Sequence, residues 1–364
     1  MNFPFRPQLT AEGKSYANHT PAITADTLDA SLGVNPYGFP PAAAAAMAAF
    51  DPARLMDYPH SRILHEAIAA CWQAYDGPGQ EELTLANGSI CALYYLNNLF
   101  SQSLRREVVG FVPTFTDMVE SVRCFGMTYR GIPLRLSEEG RAEISDLLPA
   151  ITEKTAFVYL DRPNNPTGQT LPLSDMEEIL IKARQVGAYV LADEAYGDFI
   201  PREESVLALW RKYDNLLVTK TFSKGYGLAN LRCGYIAAPR ELTAYLGRTT
   251  NPYLLSDLER ETCAAVLRAG DPTAHAGDFR QAKEALRGVI GHRLFMLRTD
   301  DRVPICTLAL REEADLQALL LEKGVLTVSG AEFENLSGRY VRLRIPEKSD
   351  LPRLLTAVGD AENN

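Results

Sequence analysis

Cysteine is sparse in this chain and its spacing carries no pattern. The six residues, Cys71, Cys91, Cys124, Cys233, Cys263 and Cys306, include no C-x-x-C pair in a chain of 364. That argues against a disulfide framework or a thiolate zinc site and leaves free thiols. Histidine is scarcer still, with five residues and no H-E-x-x-H spacing, so no metal is expected in the chemistry. Long apolar runs are missing as well. The longest, "PPAAAAAMAAF" at 40–50, falls far short of a membrane span. The opening "MNFPFRPQLTAEGKSY" has no charged-then-apolar signal pattern. A cytoplasmic protein with no membrane partner is the expectation. Positive charge is in deficit, with 37 Lys and Arg against 46 Asp and Glu and a net charge of -9. This argues against nucleic acid as the main partner and leaves room for a local basic pocket that takes a small anion.

What is present is 46% hydrophobic residues, an ordinary share for a globular enzyme. The length is too great for one simple core and predicts a large domain plus a smaller one. An irregular opening ends in "LDASLGVNPYGFPP", where Asn35-Pro36 and Tyr37-Gly38 mark a turn. Pro40 and Pro41 then open an alanine-rich helix. In "SRILHEAIAACWQAY" (61–75), Ile63, Leu64, Ala67, Ile68, Cys71 and Trp72 fall at helical spacing. The short apolar runs "EVVGFVP", "TAFVYLDRP", "AYVLADEAY", "NLLVTKTF" and "CGYIAAP" read as strands covered on both faces. Helical patterns lie between them, such as "LSDMEEILIKARQVG", with Ser174 as the expected cap and Gly187 as the stop. The alternation predicts an α/β fold, a mostly parallel central sheet with helices on both faces. Past about residue 245 long helical stretches lead to "RVPICTLAL", the helix "REEADLQALLLEKG" and "GRYVRLRIP", which predict a smaller α+β domain. The expected division is an N-terminal segment at 1–34 packing with the small domain, a large domain at 35–244 and the small domain at 245–364.

Ligands of such sheets bind beyond the carboxyl ends of the strands, so polar clusters there are the candidate site. "LDRPNNPTGQT", "LADEAYGDF" and "TKTFSKGYG" each follow a strand, and "LANGSICALYYL" puts Asn87-Gly88-Ser89 at the start of a helix. In "VTKTFSKGYGLANLRCGY" (218–235), Lys224 follows the hydroxyls of Thr221 and Ser223 and precedes Arg232. A salt-bridged surface would not need the hydroxyls, and a core would not want the two cations. An anion together with a demand for an amine accounts for both. Gly88 lets the backbone approach closely, and a helix N-terminus presents free N–H groups to an anion. Taken singly, Asp193 as a cap, Asn165 as a turn residue and Lys224 as a surface cation are equally open readings.

Taken together, N-G-S, P-T-F, N-P-T-G, D-E-A-Y, S-K and R-x-G-Y, in that order, resemble the fold-type I pyridoxal-phosphate enzymes. Within these the chain looks like the class I/II aminotransferases, and most like the histidinol-phosphate aminotransferase and threonine-phosphate decarboxylase families. "VNPYGFPP", "YPHSRILHEAIA", "VPTFTDM" and "FSKGYGLANLRCGY" carry that closer likeness, and the resemblance covers most of residues 30 to 345. It implies pyridoxal 5'-phosphate as cofactor, with Lys224 as the Schiff-base amine that then moves protons between substrate and cofactor. It implies a phosphate site from Gly88, Ser89, Ser223 and Arg232, with Thr221 either assisting through its hydroxyl or packing. Asp193, rather than Glu194, is implied as the partner of the pyridine nitrogen. Tyr196 and Asn165 are implied as donors to the ring oxygen, and Phe115 as the stacking aromatic, with a plain core role as its alternative. Tyr58, in "MDYPHS", is implied to reach the neighbouring subunit's cofactor phosphate. That makes a homodimer with shared active sites, whereas a plain surface tyrosine is the other reading.

The substrate side of the resemblance is Arg342 in "YVRLRIP", an arginine that forks onto a carboxylate, with Asn165 and Gly33 beside it. Here the chain departs from the family. Arg344 stands where a small or apolar residue is usual, Pro346 where a glycine is, and "RVPICTLAL" lacks the usual Ala-Asn. Residues two apart on a strand share a face, so Arg344 is either a second anion contact or an outward salt bridge. The implied reaction transfers an amino group between an amino acid, or an amine derived from one, and a 2-oxo acid. Decarboxylation of a (phospho)amino acid, or amino-acid oxidation or cyclisation, stays open, because the orientation of the substrate decides which bond breaks. A coenzyme-sensing domain of a transcription regulator is disfavoured, since only about thirty residues, neither basic nor helical, precede the motifs.

Overall fold

The computed structural model describes residues 26–363 together with Pro7 and Thr24, so most of the N-terminal segment lies outside the described residues. The α/β fold expected from the sequence is present. The described chain enters through β1 (Leu28–Asp29) and builds its main sheet from β2 (Leu83–Ala86), β3 (Glu107–Val112), β4 (Thr128–Pro133), β5 (Thr155–Asp161), β6 (Tyr189–Asp193), β7 (Leu216–Thr221) and β8 (Gly234–Ala237). Their spatial order is β2-β8-β7-β6-β5-β3-β4. The five strands from β7 to β4 run parallel, and β8 is antiparallel to both its neighbours.

Helices α1 (Pro41–Ala49), α2 (Ile63–Trp72), α3 (Gly88–Phe100), α4 (Thr116–Cys124), α5 (Leu173–Gln185) and α6 (Asp257–Ala269) cover this sheet. Successive strand residues point to opposite faces. Val158, Val190 and Val218 therefore join the core under α2, α5 and α6, while Phe157, Leu191 and Leu217 join the one under α3 and α4. Both faces are buried, which is why these strands read as continuous apolar runs. The first of these cores takes Cys263, Val266 and Leu267 from α6, so the division placed at 244/245 cuts across real packing. Ser174 does not cap α5. The N-cap is Pro172, and the Ser174 hydroxyl, already inside the first turn, donates to Asp175. The extended backbone of a proline starts this helix without a side-chain cap.

Past α6 come α7 (Ala276–Gly288), β9 (Leu294–Met296), β10 (Ile305–Leu310), α8 (Leu316–Glu322), β11 (Val325–Leu326), β12 (Val328–Ser329), β13 (Tyr340–Arg344) and α9 (Leu351–Asn363). Four of these strands form an antiparallel sheet in the order β12-β13-β10-β9, and β1 pairs in parallel with β11. The two sheets are tied at the turn after β5. The Thr307 hydroxyl donates to the Pro166 carbonyl at 3.0 Å, and the Asp300 N–H to the Gly168 carbonyl at 2.9 Å. Behind this junction Lys283 is buried, its Nζ donating to Thr299, the Asp300 carbonyl and the Ile305 carbonyl. Burial brings its pKa down to about 8. Among the described residues no helix is long and apolar enough to cross a membrane.

Candidate active site

The carboxyl ends of β5, β6 and β7 open on a cavity of about 160 Å3. Ser89, Phe115, Asn165, Asp193, Tyr196, Thr221, Ser223, Lys224 and Arg232 all line it, together with Asp161, which the sequence reading passed over. A larger cleft of about 650 Å3 lies at Arg141, Ser174 and Arg298 and touches none of the candidate residues.

One end of the cavity is built for an anion. Arg232 adopts a left-handed backbone, φ 50°. Its guanidinium donates to the Ala229 carbonyl at 2.8 Å, the Asn87 carbonyl at 3.3 Å and the Ser223 hydroxyl at 3.4 Å. The Thr221 hydroxyl donates to the same Ser223 oxygen at 3.0 Å, so Thr221 orients Ser223 as well as packing. Gly88 opens α3 with φ 77°, and a Cβ there would stand 2.6 Å from Arg232 Nη2. Glycine is required twice, for the backbone and for the space. The unbonded N–H groups of the first turn of α3 and the Arg232 guanidinium thus meet beside one cavity.

The other end holds a buried acid. Asp193 is 3% exposed and accepts hydrogen bonds from Thr219 at 3.0 Å, Tyr159 at 3.2 Å and the Ala195 N–H at 3.2 Å. Burial pushes its pKa up to about 6, against the pull of those hydrogen bonds. Its neighbour Glu194 faces away, into a closed network with Arg162 at 3.2 Å, Lys220 at 3.3 Å and the Val206 N–H at 2.9 Å. Burial works against its ionisation, but Lys220 and Arg162 prevail and hold it below the usual carboxylate range. Adjacent acids therefore have separate jobs, with Asp193 in the cavity and Glu194 in the framework.

Tyr196 brings a buried hydroxyl with no hydrogen-bond partner among the described residues. Gly33 lies against it so closely that a Cβ would stand 1.8 Å from the oxygen. Lys224 Nζ lies 5.6 Å from the Tyr196 ring centroid. The loop carrying Lys224 is held by Asn35, whose N–H donates to the Lys224 carbonyl and whose amide donates to the Gly225 carbonyl, each at 3.0 Å. Arg342 reaches the site from β13, donating to Asn165 Oδ1 at 2.9 Å and to the Ser31 carbonyl.

Two candidates sit elsewhere. Arg344 is half-buried rather than outward and does not line the cavity; it donates to the Asp29 carbonyl at 2.6 Å. Tyr58 is 68% exposed, with its ring against Tyr253 at 4.5 Å, and is not part of the cavity of its own chain. Asp161, in contrast, lines the cavity and is the register partner of Asp193 on the adjacent strand. The signal for it was available, since it ends "TAFVYLD" as Asp193 ends the next strand. Tyr159 and Thr219, the donors to Asp193, carry no such signal, because they lie inside apolar runs.

The family model for aminotransferase class I and II matches residues 26–358. The chain belongs to the class I and II aminotransferases. Among the relatives within this family is a histidinol-phosphate aminotransferase from Anoxybacillus flavithermus, 32% identical over 237 residues. That match takes in 64% of this chain and 62% of the relative, so the chain spans under two thirds of that relative's length. Two solved structures share the class I and II fold with it. The histidinol-phosphate aminotransferase from Clostridium acetobutylicum superposes with a TM-score of 0.81 at 20% identity, over 93% of this chain and 99% of that one. The L-threonine-O-3-phosphate decarboxylase from Porphyromonas gingivalis superposes with a TM-score of 0.77 at 18% identity, over 93% and 100%.

Proposed function

We propose that this family member is a pyridoxal-phosphate-dependent aminotransferase that moves an amino group between an amino acid, or an amine derived from one, and a 2-oxo acid. The observation that carries the reading is the single cavity lined by an amine, Lys224, an anion cup, Ser223 and Arg232, and a buried acid, Asp193. The residues fit the coenzyme. The Tyr196 hydroxyl, without a partner among the described residues, is a donor available to a ligand, and the Gly88 position leaves bare backbone at the anion cup. When bound, pyridoxal phosphate supplies an aldehyde for amine exchange and a ring that withdraws electrons from the reacting carbon.

In this reading Lys224 is the attachment point and then the proton carrier. Gly88, Ser89, Ser223 and Arg232 hold the phosphate, with Thr221 orienting Ser223. Asp193 keeps a ring nitrogen protonated, Phe115 covers the ring face, and Tyr196 and Asn165 donate to the ring oxygen. Arg342 receives the substrate carboxylate, and Gly33 leaves room above Tyr196. Arg344, bonded to Asp29, acts as a brace for the segment before Gly33. Tyr58 serves the cavity of a second copy, so the working form is a homodimer; its exposure, with Leu55 and Met56 beside it, supports this.

A single-turnover half-reaction tests the reading. The holoenzyme is mixed with acidic, phosphorylated and basic amino acids while the coenzyme's visible band and carbon dioxide are followed. The expected result is loss of the band with formation of a 2-oxo acid and no carbon dioxide, and no 2-oxo acid formed by Lys224→Ala. Carbon dioxide released with the band restored would make the protein a decarboxylase and overturn the proposal.

A further inference from the structure

We propose that Asp161 is the positioning residue of this site, the one acceptor that ties the segment carrying Phe115 to the segment carrying Asn165. The proposal rests on the coenzyme reading above. Phe115 is the N-cap of α4, so its carbonyl accepts from the Met118 N–H at 3.1 Å but its own N–H lies outside the helix ladder, and Asn165 lies in the turn after β5. Both are held by the same atom. Asp161 Oδ2 accepts from the Phe115 N–H at 3.1 Å and from the Asn165 N–H at 2.9 Å.

The other carboxylate oxygen, Oδ1, accepts from Asn164 Nδ2 at 2.8 Å. Asn164 cannot turn its amide around. Its nitrogen also donates to the Pro113 carbonyl at 3.1 Å, and its oxygen accepts from the Thr167 N–H at 3.1 Å and hydroxyl at 2.6 Å. Asp161 thus meets donors on both oxygens, which an amide in its place could not accept from equally; burial works against its charge and raises its pKa to about 7 in spite of those donors. Asn165 in turn accepts from Arg342 on the second sheet. One carboxylate at the end of β5 therefore sets the spacing between a ring-covering aromatic, a ring-oxygen donor and the carboxylate-binding arginine.

The test compares the holoenzyme with Asp161→Ala and Asp161→Asn. Coenzyme dissociation is read from the visible band, kcat and KM from turnover, and the stability of coenzyme-free protein from its unfolding midpoint. Asp161→Ala is expected to weaken coenzyme binding by about tenfold to a hundredfold, the loss of bonds to a charged acceptor. Asp161→Asn is expected to lose less, because its amide oxygen keeps both backbone bonds while its nitrogen meets Asn164. Unchanged coenzyme binding and kcat/KM in both variants overturn the proposal while the coenzyme reading stands. Losses that only track the fall in stability make Asp161 a folding residue and overturn it too. If Asp161→Ala does not fold, Asp161→Ser takes its place, its hydroxyl too short to reach both N–H groups, and unchanged coenzyme binding in it decides against the proposal. Failure of the wild-type protein to take up pyridoxal phosphate removes the coenzyme reading itself, and the proposal with it.

Discussion

Asp193 and Glu194 are neighbours in sequence with the same charge, and their surroundings drive them in opposite directions. Glu194 has Arg162 and Lys220 to hold its charge; Asp193 is buried among hydroxyls and an amide, and its pKa rises to about 6. A raised carboxyl pKa means that the folded state holds the proton more tightly than the unfolded chain. The group then favours folding below its ordinary value near 3.8, and that support is lost as pH rises through about 6. Asp193→Asn removes this group's share of the dependence, while Asp161, raised to about 7 by burial, keeps its own. In coenzyme-free protein the variant is expected to gain on wild type by about 2 to 3 kcal/mol between pH 4 and pH 7. Urea unfolding at a series of pH values measures this, and a flat difference across the window would show that Asp193 is not perturbed. The residue-scale site was legible wherever chemistry and strand ends coincided, as at Lys224, Asp193 and Asn165. Asp161 met the same rule but is overshadowed by the N-P-T-G motif that follows it, and Thr219 is hidden by the apolar run it interrupts.

Elements decide which of these side chains can meet. The five strands from "EVVGFVP" to "CGYIAAP" are central, buried on both faces, and each announces itself as an apolar run. β2 and β4 do not. They are the two edges of the sheet, and β4 buries only Tyr129 in a stretch, "TYRGIP", that holds a glycine and a proline. An edge strand has one partner and one open side, so its sequence carries a weaker mark. The start of α3 shows the reverse, a feature clear in sequence whose reason needs coordinates. Gly88 combines a φ of 77° with Arg232 Nη2 at 2.6 Å from where a Cβ would be. Gly88→Ala is expected to cost about 1 to 2 kcal/mol in stability from the left-handed backbone. The pushed guanidinium should also raise the coenzyme dissociation constant by about tenfold. Fluorescence titration of coenzyme-free variant with pyridoxal phosphate checks this, and unchanged affinity would remove Gly88 from the anion cup.

At the scale of the whole molecule the cavity is lined by the first sheet and its loops, and the second sheet reaches it through Arg342 on Asn165. Arg342 on β13 and Asn165 after β5 meet across the junction that Thr307 and Asp300 close, and Arg302 adds a two-pronged bond to Glu204 at 2.6 and 2.9 Å. No local pattern announces such a junction, which is why the sequence reading divided the chain at 244/245 although α6 packs on the first core. Among the described residues one short segment presents three large apolar side chains together. Leu55, Met56 and Tyr58 are 59%, 90% and 68% exposed, on a segment that Arg54 pins to Asp257 and Glu261 of α6. In the proposed homodimer these apolar side chains are the surface that the other copy covers. Burying Leu55 and Met56 is worth about 1.5 to 3 kcal/mol each, counted twice across a two-fold axis. Leu55→Glu with Met56→Glu is therefore expected to convert a dimer into a monomer at micromolar concentration in sedimentation. Arg54 and its partners stay in place, so the fold should survive, as its unfolding midpoint will report. If Tyr58 serves the other copy's cavity, the monomer should also hold pyridoxal phosphate more weakly than the dimer. A monomer with undiminished affinity would keep the interface and remove Tyr58 from the site, and a variant that stays dimeric would place the interface elsewhere.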